Sequence, residues 1–185
     1  MSITAIDAKT ALILIDLQKG IVGSNTAHPV DAVLKHAREL ADAFRRHQLP
    51  VVLVNVTGGA PGRVEQRASG ERPADWAELV PELGAQPGDL RVTKQTWGVF
   101  ASTGLADELR RLGVTQVVIG GISTSIGVES TARQAFEGGF NVTLAIDAMT
   151  DTKAEAHDNS IARIFPRLGE TGSTREIVER LDARA

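Results

Sequence analysis

Apolar positions along the chain follow two alternating rhythms. Five short runs, TALILID (10–16), PVVLVNV (50–56), LRVTK (90–94), TQVVIGG (115–121) and FNVTLAID (140–147), have the length and β-rich composition of strands in a parallel sheet. Between them the apolar positions shift to helical spacing. Residues 29–47 bring Val30, Val33, Leu34, Ala37, Leu40, Ala41 and Phe44 onto one face, which predicts an amphipathic helix. Further helices are expected over 105–112, 124–136, 153–165 and 174–181. Strands alternating with helices in this way predict an α/β domain.

The stretch TGGAPGRVEQRASGERPADW (57–76) breaks both rhythms, being rich in Gly, Pro and charge. It reads as a surface excursion within one domain spanning 1–185, because a linker would need a second core beyond it. A chain of 185 residues with 42% hydrophobic content supports one such core. The formal net charge of −3 offers no basic footprint for nucleic acid. The longest apolar runs fall well short of the roughly 20 residues of a membrane helix, and the N-terminus lacks the layout of a signal peptide. A cytoplasmic protein acting on a small molecule is therefore expected. The absence of cysteine removes disulfides, thiolate metal sites and a cysteine nucleophile.

Ligands of open α/β sheets bind beyond the carboxyl ends of the strands, which directs attention to Asp16, 55–59, 94–100 and 121–127. Asp16 ends the first strand and either caps a turn or faces the crevice. Lys94 ends the third, and alone it reads as a solvated lysine. At the same end of adjoining strands the two can pair, which would fix a carboxylate for proton transfer. The run GGISTSIG (120–127) lacks the GK[ST] ending of a phosphate loop. It half fits a nucleophile elbow at Ser125, with Asp147 or Asp151 and then His157 following in hydrolase order, although position 123 is Ser where that motif has Gly. Ser123, Thr124 and Ser125 equally suit the cap of the helix that follows. The four histidines, His28, His36, His47 and His157, form no HxxxH, HExxH or DxH pair, so no metal site is expected. Trp97 and Phe100 either line an apolar pocket or pack the domain. Arg63 and Arg67 in the excursion are candidate anion contacts.

Three segments in order, IDLQ with Asp16 and Gln18, VTKQTWGVF with Lys94, and GGISTSIGVESTARQA followed by FNVTLAIDAMTD, resemble the isochorismatase-like hydrolase superfamily over nearly the whole chain. That resemblance implies a three-layer, doubly wound, Rossmann-like fold with a mainly parallel sheet of about six strands, assembled as a homo-oligomer, a dimer or tetramer. In the amidase branch an Asp, Lys and Cys triad acts, and its cysteine position corresponds here to Gly127. An acyl-enzyme through that residue is chemically impossible. The isochorismatase branch also carries Gly there and cleaves a vinyl ether. On that analogy Asp16 is the proton donor, Lys94 its partner, and neither metal nor cofactor is needed. The resemblance further implies a cis peptide at Ile122–Ser123, amides of Ser123 and Gly127 aimed at a substrate oxygen, and substrate contacts from Gln18, Trp97, Phe100, Ile122, Ser123 and Ser125. The chain departs from both branches. KQTWGVF and ISTSIG replace the basic, aromatic segments of isochorismatases, and NVTGGAPG replaces the metal-binding DxH of nicotinamidases. Two alternatives follow: an amidase or esterase that recruits Ser125 or Ser123, and a catalytically silent binding protein of the same fold.

Overall fold

A computed structural model describes residues 3–66 and 71–184. Six parallel strands form one sheet: β1 (Thr10–Ile15), β2 (Val51–Val56), β3 (Leu90–Lys94), β4 (Gln116–Ile122), β5 (Asn141–Thr150) and β6 (Glu170–Gly172). Their spatial order is β3-β2-β1-β4-β5-β6. The helices are α1 (Lys19–Val22), α2 (Val30–Arg46), α3 (Leu105–Arg111), α4 (Glu129–Glu137), α5 (Ala154–Asn159) and α6 (Thr174–Asp182).

Strand periodicity divides the core into two halves. Leu12 and Leu14 of β1, with Val51 and Leu53 of β2, pack under Leu40 and Phe44 of α2 and Ile177 of α6. Ala11, Ile13 and Ile15, with Val52 and Val54, face Leu109 of α3 and Ala132 of α4. Side chains alternate across a strand with period two, so central strands covered on both sides must be apolar throughout. This is why all six residues of β1 are buried.

The sequence reading locates five of the six strands. It misses β6, whose three residues, Glu-Thr-Gly, carry no apolar run. It also stops β5 at Asp147, whereas pairing continues to Thr150 opposite Ile122. The expected helix over 153–165 is in fact α5, a wide π turn at Ser160–Ile164 and a 3-10 turn at Phe165–Arg167, where Pro166 prevents α-helical continuation. The helix expected from residue 124 likewise opens with a π turn, Thr124–Val128, before α4. The short helix α1 and a 3-10 turn at Pro81–Leu83 were not anticipated.

Chain direction across the sheet reverses at β1 and β4: from β1 the chain builds outward to β2 and β3, and from β4 to β5 and β6. In a doubly wound sheet the crevice lies at such a reversal. Asp16 leaves β1 there, and the Thr124–Val128 turn leaves β4 there. The two strands approach so closely that a side chain on Gly121 would strike the Ile15 backbone, with its Cβ 2.1 Å from the carbonyl oxygen. Gly121 also has φ of 124°, so both space and conformation require glycine.

Candidate active site

Asp16 follows immediately on the buried strand β1 and adopts φ of 54°, a left-handed conformation uncommon for a residue with a side chain. Its amide still donates to the Val54 carbonyl of β2 at 2.9 Å, so the turn is anchored to the sheet. The carboxylate is buried. Lys94, 1% exposed at the end of β3, donates from Nζ to Asp16 Oδ2 at 2.7 Å and to the Thr96 carbonyl at 3.2 Å. The expectation of adjoining strands is corrected, because β2 lies between β1 and β3 and the long lysine side chain spans it.

Burial and the lysine act on Asp16 in opposite senses, and burial dominates. The carboxyl is pushed up to about 6 by desolvation, against the pull of the Lys94 charge and hydrogen bond. Its second oxygen, Oδ1, is buried and has no hydrogen-bond partner among the described residues. A buried acceptor left in this state is costly unless it carries a proton or meets a ligand.

Gly127 faces this carboxyl. A Cβ built on it would stand 3.2 Å from Asp16 Oδ2, 2.9 Å from Ile15 Cγ2 and 3.6 Å from the Trp97 carbonyl oxygen. A side chain at 127 would therefore begin beside the Asp16–Lys94 pair. The Ile122–Ser123 peptide is cis, and the Ser123 carbonyl accepts from the amides of Ile126 and Val128.

Ser125 has no histidine partner among the described residues. Its Oγ and its amide both donate to Asp151 Oδ2, at 2.8 and 2.7 Å. His157, the histidine of the hydrolase order, instead bonds Thr124 through Nδ1 at 2.8 Å. Asp147 accepts from the amide and hydroxyl of Thr174 at the start of α6. The order Ser, Asp, His is thus present in sequence without a serine-histidine bond among the described residues. The capping role read for this segment is met by Asp151 accepting from Ser125, rather than by a serine side chain on the turn.

Two further assignments are corrected. Gln18, expected to touch substrate, is fully buried and committed to backbone: Nε2 donates to the Val56 and Trp76 carbonyls, and Oε1 accepts from the Val56 amide. It ties α1 to the end of β2 and to the close of the excursion. Phe100 stacks on Phe140 with ring centroids 5.9 Å apart, against the core half that contains α3 and α4, which is packing. Ile122 is buried in the other half of the core, so only its backbone is available to the turn. Trp97 alone fits the pocket reading. It is 65% exposed and lines a cleft of about 750 Å³ with Gly58, Ala60, Val64, Arg72 and Gln134. Arg72 lies over the Trp76 ring and donates to the Thr57 carbonyl. Arg63 is exposed, and Arg67 lies outside the described residues. No group of three or more His, Cys, Asp or Glu among the described residues is placed to hold a metal ion.

Residues 10–176 match the isochorismatase domain. The chain is 45% identical over 184 residues to the isochorismatase family protein YwoC of Bacillus subtilis (strain 168), an overlap covering 94% of each chain. It is 42% identical over 180 residues to the isochorismatase family protein YecD of Escherichia coli O157:H7, covering 93% of this chain and 96% of that one. Its structure aligns with an isochorismatase family protein from Burkholderia thailandensis at a TM-score of 0.93 and 36% identity, over 98% of this chain and 100% of the other. The chain therefore belongs to the isochorismatase family, and it is a hydrolase.

Proposed function

We propose that this hydrolase cleaves a small enol ether or a related carboxylate by acid catalysis, with no covalent intermediate. The observation that carries this reading is the Asp16 carboxyl: raised to about 6, bonded to Lys94 through one oxygen, and buried with its other oxygen unpartnered. In its neutral form Asp16 gives a proton to the terminal methylene carbon of the ether. Water adds to the resulting oxocarbenium carbon and loses a proton to the carboxylate. The hemiketal then collapses to a keto acid and an alcohol. Lys94 holds the carboxyl in place and favours its ionised form once the proton has left. Gly127 places no side chain against Asp16, and the amides of Ser123 and Gly127 are assigned to a substrate oxygen. Trp97 supplies the apolar wall of the adjoining cleft.

A serine-dependent amidase is disfavoured by the hydrogen bonds of Ser125, which go to Asp151 and reach no histidine. Family resemblance supports a cytoplasmic homo-oligomer, and sedimentation of the purified protein measures its size. The test of function is pyruvate release from isochorismate in a coupled assay, with Asp16→Asn as control. Release that vanishes in the variant supports the reading. Equal release from both proteins would refute it, and stoichiometric, inactivating labelling of Ser125 or Ser123 by a fluorophosphonate would replace it with the serine mechanism.

A further inference from the structure

Behind the Thr124–Val128 turn lie two histidines that the proposed chemistry does not use. His157 on α5 is buried and binds the Thr124 hydroxyl through Nδ1 at 2.8 Å. His28, exposed in the segment before α2, packs its ring on that of His157 with centroids 4.6 Å apart, tilted by 54°. The Thr150 hydroxyl at the end of β5 meets His28 twice, accepting from its amide at 3.2 Å and lying 3.0 Å from Nδ1. The neighbouring Ala27 amide donates to the Asp151 carbonyl, and Asp151 holds Ser125. Two imidazoles are therefore in tilted contact between the segment before α2 and the turn that presents Gly127.

We propose that His157 is a positioning residue for this turn and that His28 tunes it, so that the turn is held in one arrangement while His157 is neutral and rearranges when His157 gains charge. The inference rests on the turn belonging to the active site, but its test does not require turnover. A neutral His157 can accept from the Thr124 hydroxyl. Once protonated it can only donate, so the hydroxyl must rotate or the bond must break. Charge on one ring also disfavours charge on the other, since they are in contact. The groups acting on His157 are Asp158 on its own helix, Asp151 after β5 and His28. Burial and then His28 hold the His157 imidazole below its ordinary value, and they outweigh the opposing pull of Asp158 and Asp151.

Two-dimensional NMR titration tests the coupling. It is run on the full chain carrying Asp16→Asn, so that the carboxyl facing Gly127 does not titrate. The histidine ring protons and the backbone amides of Ile126 and Gly127 are followed together. The expected result is one shared midpoint for His157 and both amides, which moves upward in His28→Asn. In Thr124→Val the ring should still titrate while the amides cease to follow. Amides that do not track His157, or a midpoint unmoved by His28→Asn, would overturn the proposal; the His28 variant decides it even if the Thr124 variant does not fold. In turnover, the pair should add an acidic limb to kcat with KM unchanged, displaced to higher pH by His28→Asn. Absence of turnover would count against the proposed function and leave the titration result standing.

Discussion

Lys94 and Asp16 meet at 2.7 Å across an intervening strand, the lysine from β3 and the carboxylate from the end of β1, with β2 between them. Both are almost completely buried, and the carboxylate keeps one oxygen without a partner among the described residues. Breaking such a pair leaves a charge in the core, which costs roughly 3–5 kcal/mol. Lys94→Met is accordingly expected to lower stability and to push the Asp16 carboxyl further up by removing its cation partner Lys94. Chemical denaturation at several pH values checks both effects.

Asp16→Asn keeps the shape of the side chain and removes the proton. Loss of a positioned acid lowers turnover by about 10²–10⁴-fold. In the wild type the neutral acid is the reactive form, so kcat/KM should fall as pH rises through about 6. At pH 7 roughly a tenth of the carboxyl would still be protonated, enough for steady turnover. A rate that rises through the same range with a midpoint unmoved by His28→Asn would assign Asp16 the role of a base.

Stability carries the same signature. The native carboxyl titrates near 6 and the unfolded one near 3.8, so between these values the native state binds more protons. The stabilising contribution of the neutral acid is full below about 3.8 and is lost as pH climbs to about 6. Measured against Asp16→Asn, wild-type stability should decline across that window and run parallel above it. A difference that is flat from pH 4 to 7 would show that the carboxyl is unperturbed.

Gly127→Ala inserts a methyl whose carbon would lie 2.9 Å from Ile15 Cγ2 and 3.2 Å from Asp16 Oδ2. The γ2 methyl of a buried, β-branched strand residue yields little, and overpacking of this kind costs about 1–3 kcal/mol. Gly127→Cys should pay the same penalty and place a thiol beside Asp16 and Lys94. Iodoacetamide labelling at that position and weak hydrolysis of activated amides are the expected results. A cysteine that is inert to both would argue against a preserved acyl-transfer geometry.

Ser125→Ala removes one of the hydrogen bonds to Asp151 and leaves the amide bond in place. A loss of about 1 kcal/mol in stability with turnover preserved within a few fold is expected. Collapse of turnover in a folded variant would restore the serine to the mechanism.

Much of this was legible in the chain. Continuous apolar runs made β1, β2 and β4 unmistakable, and Asp16 and Lys94 at strand ends, with 121–127 beyond the next strand, were enough to point to one crevice, in which the family resemblance singled out Gly127. Strand order was not legible, because a parallel crossover can return on either side of its predecessor. The lysine was therefore assigned to an adjoining strand. Gln18 was misread because a polar side chain beside a candidate acid looks functional until its three backbone bonds are visible. The His28 and His157 pair escaped notice for the opposite reason: 129 positions separate two residues whose rings touch only once the sheet is assembled.

The measurement that bears most directly on the mechanism needs no substrate. Carbon-13 NMR of the aspartate carboxyls, with Asp16 identified by its absence in Asp16→Asn, reads the titration of that group alone. A midpoint near 6 would make Asp16 a proton donor poised for neutral pH, as the burial and the unpartnered oxygen predict. A midpoint at or below 3.8 would mean that Lys94 outweighs burial, and the acid mechanism would fall.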